Sequence, residues 1–186
     1  MEVYLVRHTR VKLPKNICYG QTDVELADSF EDEYIELEKK IPDRNNMVCY
    51  SSPLTRCEKL ANKLFENKFQ TDLRLMELNF GSWENKTWDE IGKDSFDIWH
   101  SDFVNNPIPD GESYQQLSKR VISFWEEIKL SQKNIVLISH AGVIRALLSF
   151  FLGLPLENSF RLNISYGGIT KVILNDNLIQ VEYINK

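Results

Sequence analysis

Apolar residues recur along this chain in two rhythms. The first is a short unbroken run: Val3-Tyr4-Leu5-Val6 near the start and Ile135-Val136-Leu137-Ile138 far downstream. Runs of that kind, without alternation, predict strands buried on both faces, here over 2–7 and 134–139. Other apolar stretches predict strands over 47–51, 71–76, 160–165, 169–174 and 178–184, with Asn-Asp-Asn at 175–177 turning the last two into a hairpin. The second rhythm is helical. An acidic segment over 24–41 reads as a helix that stops before Pro42. Ser52-Pro53 offers a cap and a first helical position ahead of Leu54, Cys57, Leu60, Ala61, Leu64 and Phe65. Ser113-x-x-Gln116 is a capping box, and Tyr114, Leu117, Val121, Phe124, Trp125 and Ile128 form one apolar face behind it. Residues 141–152 are apolar on most sides, which predicts a deeply packed helix. The aromatic stretch 83–104 reads as irregular helix, broken by Pro107 and Pro109.

Strands and helices alternate, which implies right-handed crossovers. The expected class is α/β, a three-layer sandwich with a mostly parallel central sheet and helices on both faces. No repeat, low-complexity tract or linker divides the chain, so residues 1–186 are expected to form one domain. In such sheets ligands bind beyond the carboxyl ends of the strands. One strand ends at Arg7-His8, a second runs into Ser51-Ser52 with Arg56 on the helix that follows, and a third delivers His140. All of these are expected at one rim.

Composition narrows the partners. A chain of 186 residues can bury roughly 70% of its unfolded surface and needs no staples. The net charge of −5 speaks against a nucleic-acid partner, although a cleft can still focus positive charge locally. Cys18, Cys49 and Cys57 are odd in number and lack zinc-site spacing, so reduced thiols and a cytoplasmic location are expected. No secretory signal pattern opens the sequence, and the apolar run 143–156 contains Arg145 and is too short to span a bilayer. No metal cluster, cofactor motif or membrane partner is expected, and the oligomeric state stays open.

At the rim, Arg7 and Arg56 are permanently charged forked donors suited to phosphate oxygens. His8 and His140 each follow a buried strand, and helices starting after Ser52 and at Ala141 would aim free N–H groups at the same place. Gathering that many cations is costly without an anion, so a phosphate pocket is the expected site. A cysteine phosphatase requires C-x5-R, and Cys49 is separated from Arg56 by one residue too many. Patterns for aspartyl-phosphate, zinc-peptidase and α/β-hydrolase chemistry do not occur.

Leu5-Val6-Arg7-His8, Ser51-Ser52-Pro53-Leu54-x-Arg56, Glu77-Leu-Asn-Phe-Gly-Ser-Trp-Glu84, Gly111-Glu112-Ser113 and Ser139-His140-Ala141-Gly142 together resemble the histidine phosphatase, or phosphoglycerate mutase-like, superfamily. The motifs keep that family's order across nearly the whole chain. Ile17-Cys18-Tyr19-Gly20-Gln21-Thr22-Asp23-Val24 is further similar to the α-ribazole phosphatase branch, which acts in cobalamin assembly. The resemblance implies a metal-independent phosphomonoesterase in which His8 becomes a phosphohistidine. It implies that Arg7, Arg56 and His140 stabilise the phosphoryl oxygens, with His140 protonated once phosphate is bound. Glu77 matches the proton donor, which implies a raised pKa and a mildly acidic optimum.

The chain departs from the family at Thr9, where glycine is usual, and at Arg10, where an acid often follows. Pro14 stands where many members carry a phosphate-binding asparagine, which leaves Asn16, Gln21, Thr22 and the helix start at Ala141 as the expected further ligands. Trp88, Trp99 and Phe103 fit a substrate mouth and core packing equally. Gly111-Glu112-Ser113 fits hydroxyl binding or a helix start. The alternatives are a phosphatase of another small sugar or nucleoside phosphate, a mutase, which needs covering segments that this short chain lacks, and a non-catalytic phosphate-binding module.

Overall fold

The computed structural model describes residues 1–131, 133–175 and 178–186. In chain order the elements are β1 (Glu2–Arg7), β2 (Ile17–Cys18), α1 (Phe30–Glu38), β3 (Val48–Ser51), α2 (Thr55–Phe65), β4 (Phe69–Thr71), β5 (Lys86–Thr87), α3 (Trp88–Ile91), α4 (Lys93–Ser101), α5 (Tyr114–Ile128), β6 (Ile135–Ser139), α6 (Ala141–Leu152), β7 (Ile169–Asn175) and β8 (Leu178–Tyr183). A six-stranded sheet runs β4-β3-β6-β1-β7-β8, and β2 pairs with β5 in a small separate sheet. β4, β3, β6 and β1 are mutually parallel, while β7 and β8 close one edge antiparallel. This is the expected mostly parallel α/β architecture.

The unbroken apolar runs lie where two-sided burial demands them. β1 is flanked by β6 and β7, and Val3 to Val6 are buried. Side chains alternate across the sheet. Val3 and Leu5 join Ile135 and Leu137 in a core with α5 and α6, through Leu117, Val121, Trp125 and Leu147. Tyr4 and Val6 join Val136 and Ile138 in a second core with α1 and α2, through Leu37, Cys57, Leu60 and Leu64. Ser113 caps α5 in a reciprocal box with Gln116, as its spacing predicts.

Several local expectations change, each for a tertiary reason. The acidic helix shortens from 24–41 to Phe30–Glu38 because Leu26 bridges to Val11 and Asp23 is drawn to α2. α2 begins at Thr55 rather than at Pro53. Asp23 accepts from Thr55 N at 2.8 Å and from its hydroxyl at 2.6 Å, so the cap comes from a distant segment. The strand expected over 71–76 ends at Thr71, since Asp72 accepts from Arg74 N and starts a 3₁₀ turn. Residues 83–104 resolve into β5, α3 and α4 after a 3₁₀ turn. The strand expected over 160–165 does not form. The 3₁₀ helix Leu156–Arg161 leads into a loop whose carbonyls are taken by arginine side chains, Leu162 O by Arg145 and Ile164 O by Arg7. β7 and β8 pair, but the turn assigned to 175–177 includes positions outside the described residues. Among the described residues, no helix is long and apolar enough to cross a membrane.

Candidate active site

The carboxyl ends of β1, β3 and β6 lie side by side in register, Arg7 opposite Ser139 and Ser51 opposite Ile138. The residues immediately beyond them therefore meet. The His8 and His140 rings are 5.1 Å apart, both essentially inaccessible. Arg56, on the first turn of α2, is fully buried beside them.

Hydrogen bonding fixes the state of His8. Its Nδ1 lies 2.7 Å from Thr9 O, and a carbonyl can only accept, so Nδ1 carries the proton and Nε2 keeps its lone pair. Burial, then the charges of Arg56 and Arg7, hold the His8 pKa well below 6.5. The ring is thus a neutral imidazole at physiological pH. His140 is held below its ordinary value by burial, Arg56 and His8 in that order. Its Nε2 lies 2.8 Å from Ser52 Oγ and 3.6 Å from Cys57 Sγ. An arriving dianion adds opposite charge and favours the imidazolium.

The guanidinium groups are braced by backbone carbonyls and, among the described residues, by no carboxylate. Arg56 donates to Gly20 O at 2.7 Å and Thr22 O at 2.9 Å, and Arg7 donates to Ile164 O at 2.6 Å. Among the described residues, Arg7 Nε, Arg56 Nε and Thr9 Oγ1 are buried without a partner. Buried polar atoms are rarely left so, and three of them around His8 suit an anion rich in oxygen acceptors. Gly20 makes the brace possible: its φ of +40° turns the segment, and a Cβ there would press on Leu78 O at 2.8 Å.

Glu77 reaches the site from the other side. Its carboxylate accepts from Leu78 N at 3.0 Å and from Gly142 N, in the first turn of α6, at 3.3 Å. A side chain at position 142 would collide with that carboxylate, which explains why His140-Ala141 is followed by glycine. Ala141 is the first residue of α6, so its N–H belongs to the unsatisfied first turn. Arg120 holds the segment carrying Glu77 by donating to Arg74 O, Met76 O and Glu77 O, while pairing with Glu112.

Other expected ligands have different tasks. Gln21 Nε2 donates to Glu77 O, and the Thr22 hydroxyl donates to Glu84, which also accepts from Gln21 N. These two residues frame Arg56 and Glu77. Asn16 is exposed and gives its carbonyl to Trp88 N. Glu112 pairs with Arg120 and Ser113 caps α5, so that motif starts a helix. Trp99 and Phe103 belong to an aromatic chain with Trp83, Phe96 and Tyr114. Trp88 is 42% exposed and packs on Phe96, away from the cleft lining. Burial pushes the Cys49 and Cys57 thiols far up, the opposite of an activated cysteine nucleophile.

Two tyrosines and one arginine join the site unannounced. Tyr166 packs 5.4 Å from His8 and stacks on Arg7 at 3.8 Å, and its hydroxyl meets that of Tyr19 at 2.8 Å. Arg145 lies one turn along α6 from Ala141 and faces the same cleft. The signal for Arg145 was its spacing, since positions four apart share a helix face. Tyr166 had none, because 160–165 reads as strand.

The sequence family described as the histidine phosphatase superfamily (branch 1) matches residues 3–186. A Hydrogenobacter thermophilus protein provisionally named phosphoserine phosphatase 2 is 31% identical over 99% of this chain and 95% of its own length. The α-ribazole phosphatase of Shigella flexneri superposes with a TM-score of 0.91 at 22% identity, covering 100% of this chain and 96% of that one. A phosphoserine phosphatase from Entamoeba histolytica, solved with 3-phosphoglyceric acid, gives a TM-score of 0.86 at 25% identity over 100% of this chain and 96% of its own. With the family match running from β1 to the last residue, the chain belongs to the histidine phosphatase superfamily.

Proposed function

We propose that this protein hydrolyses small phosphomonoesters through a phosphohistidine formed on Nε2 of His8. The observation that carries this reading is the locked, neutral His8 ring set against His140 and two guanidinium groups with unpartnered Nε donors. In the first step the Nε2 lone pair attacks phosphorus, the P–O bond to the leaving group breaks, and the Glu77 carboxyl gives its proton to the departing oxygen. In the second step water attacks phosphorus, Glu77 takes the water proton, and the P–N bond breaks with its electron pair returning to Nε2. Arg7, Arg56 and His140 neutralise charge on the equatorial oxygens in both steps.

The stretch Ile17–Val24 supports α-ribazole 5′-phosphate as one compound to test. Other small sugar and nucleoside phosphates share the same phosphoryl chemistry and differ only at the mouth of the cleft. The mechanism is tested by quenching turnover of a ³²P-labelled ester. Label on the protein that survives alkali, is lost in acid and disappears in His8→Ala is expected. Alkali-labile label, or ordinary turnover by His8→Ala, would overturn the assignment.

A further inference from the structure

The cleft that opens beside Arg7 and Tyr166, next to His8, carries positive charge that a phosphoryl group alone does not use. Its cavity of about 550 Å³ is lined by Arg7, Arg10, Lys15 and Arg145, with Tyr19 and Tyr166 among its walls and no carboxylate among the lining residues. The cations are not equivalent. Arg10 is neutralised by Glu33 at 3.0 Å, and Lys15 is exposed. Arg145 is half-buried and, among the described residues, has no carboxylate within ion-pair distance.

Arg145 is also held as a ligand would need it. Its Nε donates to Leu162 O at 3.0 Å and its guanidinium lies over Phe160 at 4.9 Å. Phe160 is in turn set against Phe103 at 5.2 Å and Tyr114 at 5.8 Å. With Nε engaged, the two terminal nitrogens form the fork that matches a planar two-oxygen acceptor. Arg145 lines one cleft with Arg7 and Tyr166, and the Tyr166 ring lies 5.4 Å from that of His8, so this arginine borders the same site. A half-buried guanidinium without an acid is expensive unless something supplies one. One unpaired fork calls for one negative charge, which fits a carboxylate better than a second phosphate dianion.

We propose that Arg145 forms a second anion subsite, for a carboxylate on the same small molecule whose phosphate meets His8. The preferred substrates are then phosphomonoesters of small hydroxy or amino acids. This rests on the phosphomonoesterase reading and narrows it. The organic part of α-ribazole 5′-phosphate offers Arg145 no anion, so that compound ranks below the acid esters.

The test uses ester pairs that differ by one carboxylate: phosphoserine against phosphoethanolamine, and 3-phosphoglycerate against glycerol 3-phosphate. The wild-type protein is expected to favour the acid member by at least about tenfold in kcat/KM, the scale of one charge-assisted contact. Arg145→Gln collapses that ratio through a raised KM for the acid member, and Arg145→Lys restores part of it. Equal kcat/KM within each pair, or α-ribazole 5′-phosphate outrunning the acid esters, would overturn the subsite and leave the hydrolase reading standing. If no ester is turned over, the hydrolase reading fails by itself. The same pairs, titrated into His8→Ala by calorimetry, then decide the subsite: tighter binding of the acid members supports it, and equal binding refutes it. The wild-type comparison needs no Arg145 variant to fold.

Discussion

Glu77 shows how a single side chain is aimed. Both carboxylate oxygens accept peptide N–H groups, from Leu78 and Gly142, so the group is held between its own loop and the start of α6. Glu77→Gln keeps the shape and removes the transferable proton. It is expected to lower kcat by roughly 10² to 10⁴ with little change in KM. An unaltered kcat and pH–rate profile in that variant would remove Glu77 from the chemistry. The residues found from sequence, His8, His140, Arg7, Arg56 and Glu77, share a cause of legibility. Four sit at strand ends or on the turn of helix after one, where topology alone brings them together. Arg145 shares a helix face with Ala141, but Tyr19 and Tyr166 are not legible that way. Their roles arise from contacts across the cleft, such as the Tyr19–Tyr166 hydroxyl pair, which no local pattern encodes.

At the scale of elements, side chains from remote segments do work that local sequence was expected to do. Asp23 supplies the cap that α2 lacks, and Arg120 ties the loop before Glu77 to α5. The two make different demands on stability. Asp23→Ala removes an exposed cap and should cost about 1 kcal/mol. It should also lower kcat/KM, because Arg56 rides on the first turn of α2. Arg120→Ala strips Glu112 of its partner and three backbone carbonyls of a donor in a largely covered place, and should cost about 3–5 kcal/mol. Urea denaturation of both variants checks the order; equal losses would mean that Arg120 is no hub. The segment 160–165 carries the same lesson. Its apolar alternation is that of a strand, but its carbonyls meet arginines from β1 and α6 in place of a neighbouring strand.

For the molecule as a whole, the buried imidazoles set a pH dependence. The pKa values of His8 and His140 are depressed in the fold, each from an ordinary value of 6.5. Below that value the unfolded chain binds protons that the folded chain refuses, so stability is full above it and falls as the solution is acidified. The slope is up to about 1.4 kcal/mol per pH unit for each histidine until the folded values are reached. Melting temperature should decline from about pH 7.5 to 5.5, and less steeply in His8→Ala; a flat wild-type curve would contradict the buried neutral pair. The order of strands has a consequence in time. β1 precedes its sheet partners in chain order yet occupies the middle of the sheet, with Val3 in register with Ile135 on one side and Val172 on the other. Until those late segments emerge, an apolar ribbon waits without neighbours, a natural client for chaperones. Catalytic competence therefore waits for the segments from residue 135 onward, and a nascent chain stalled before them has a nucleophile but no pocket to use it in.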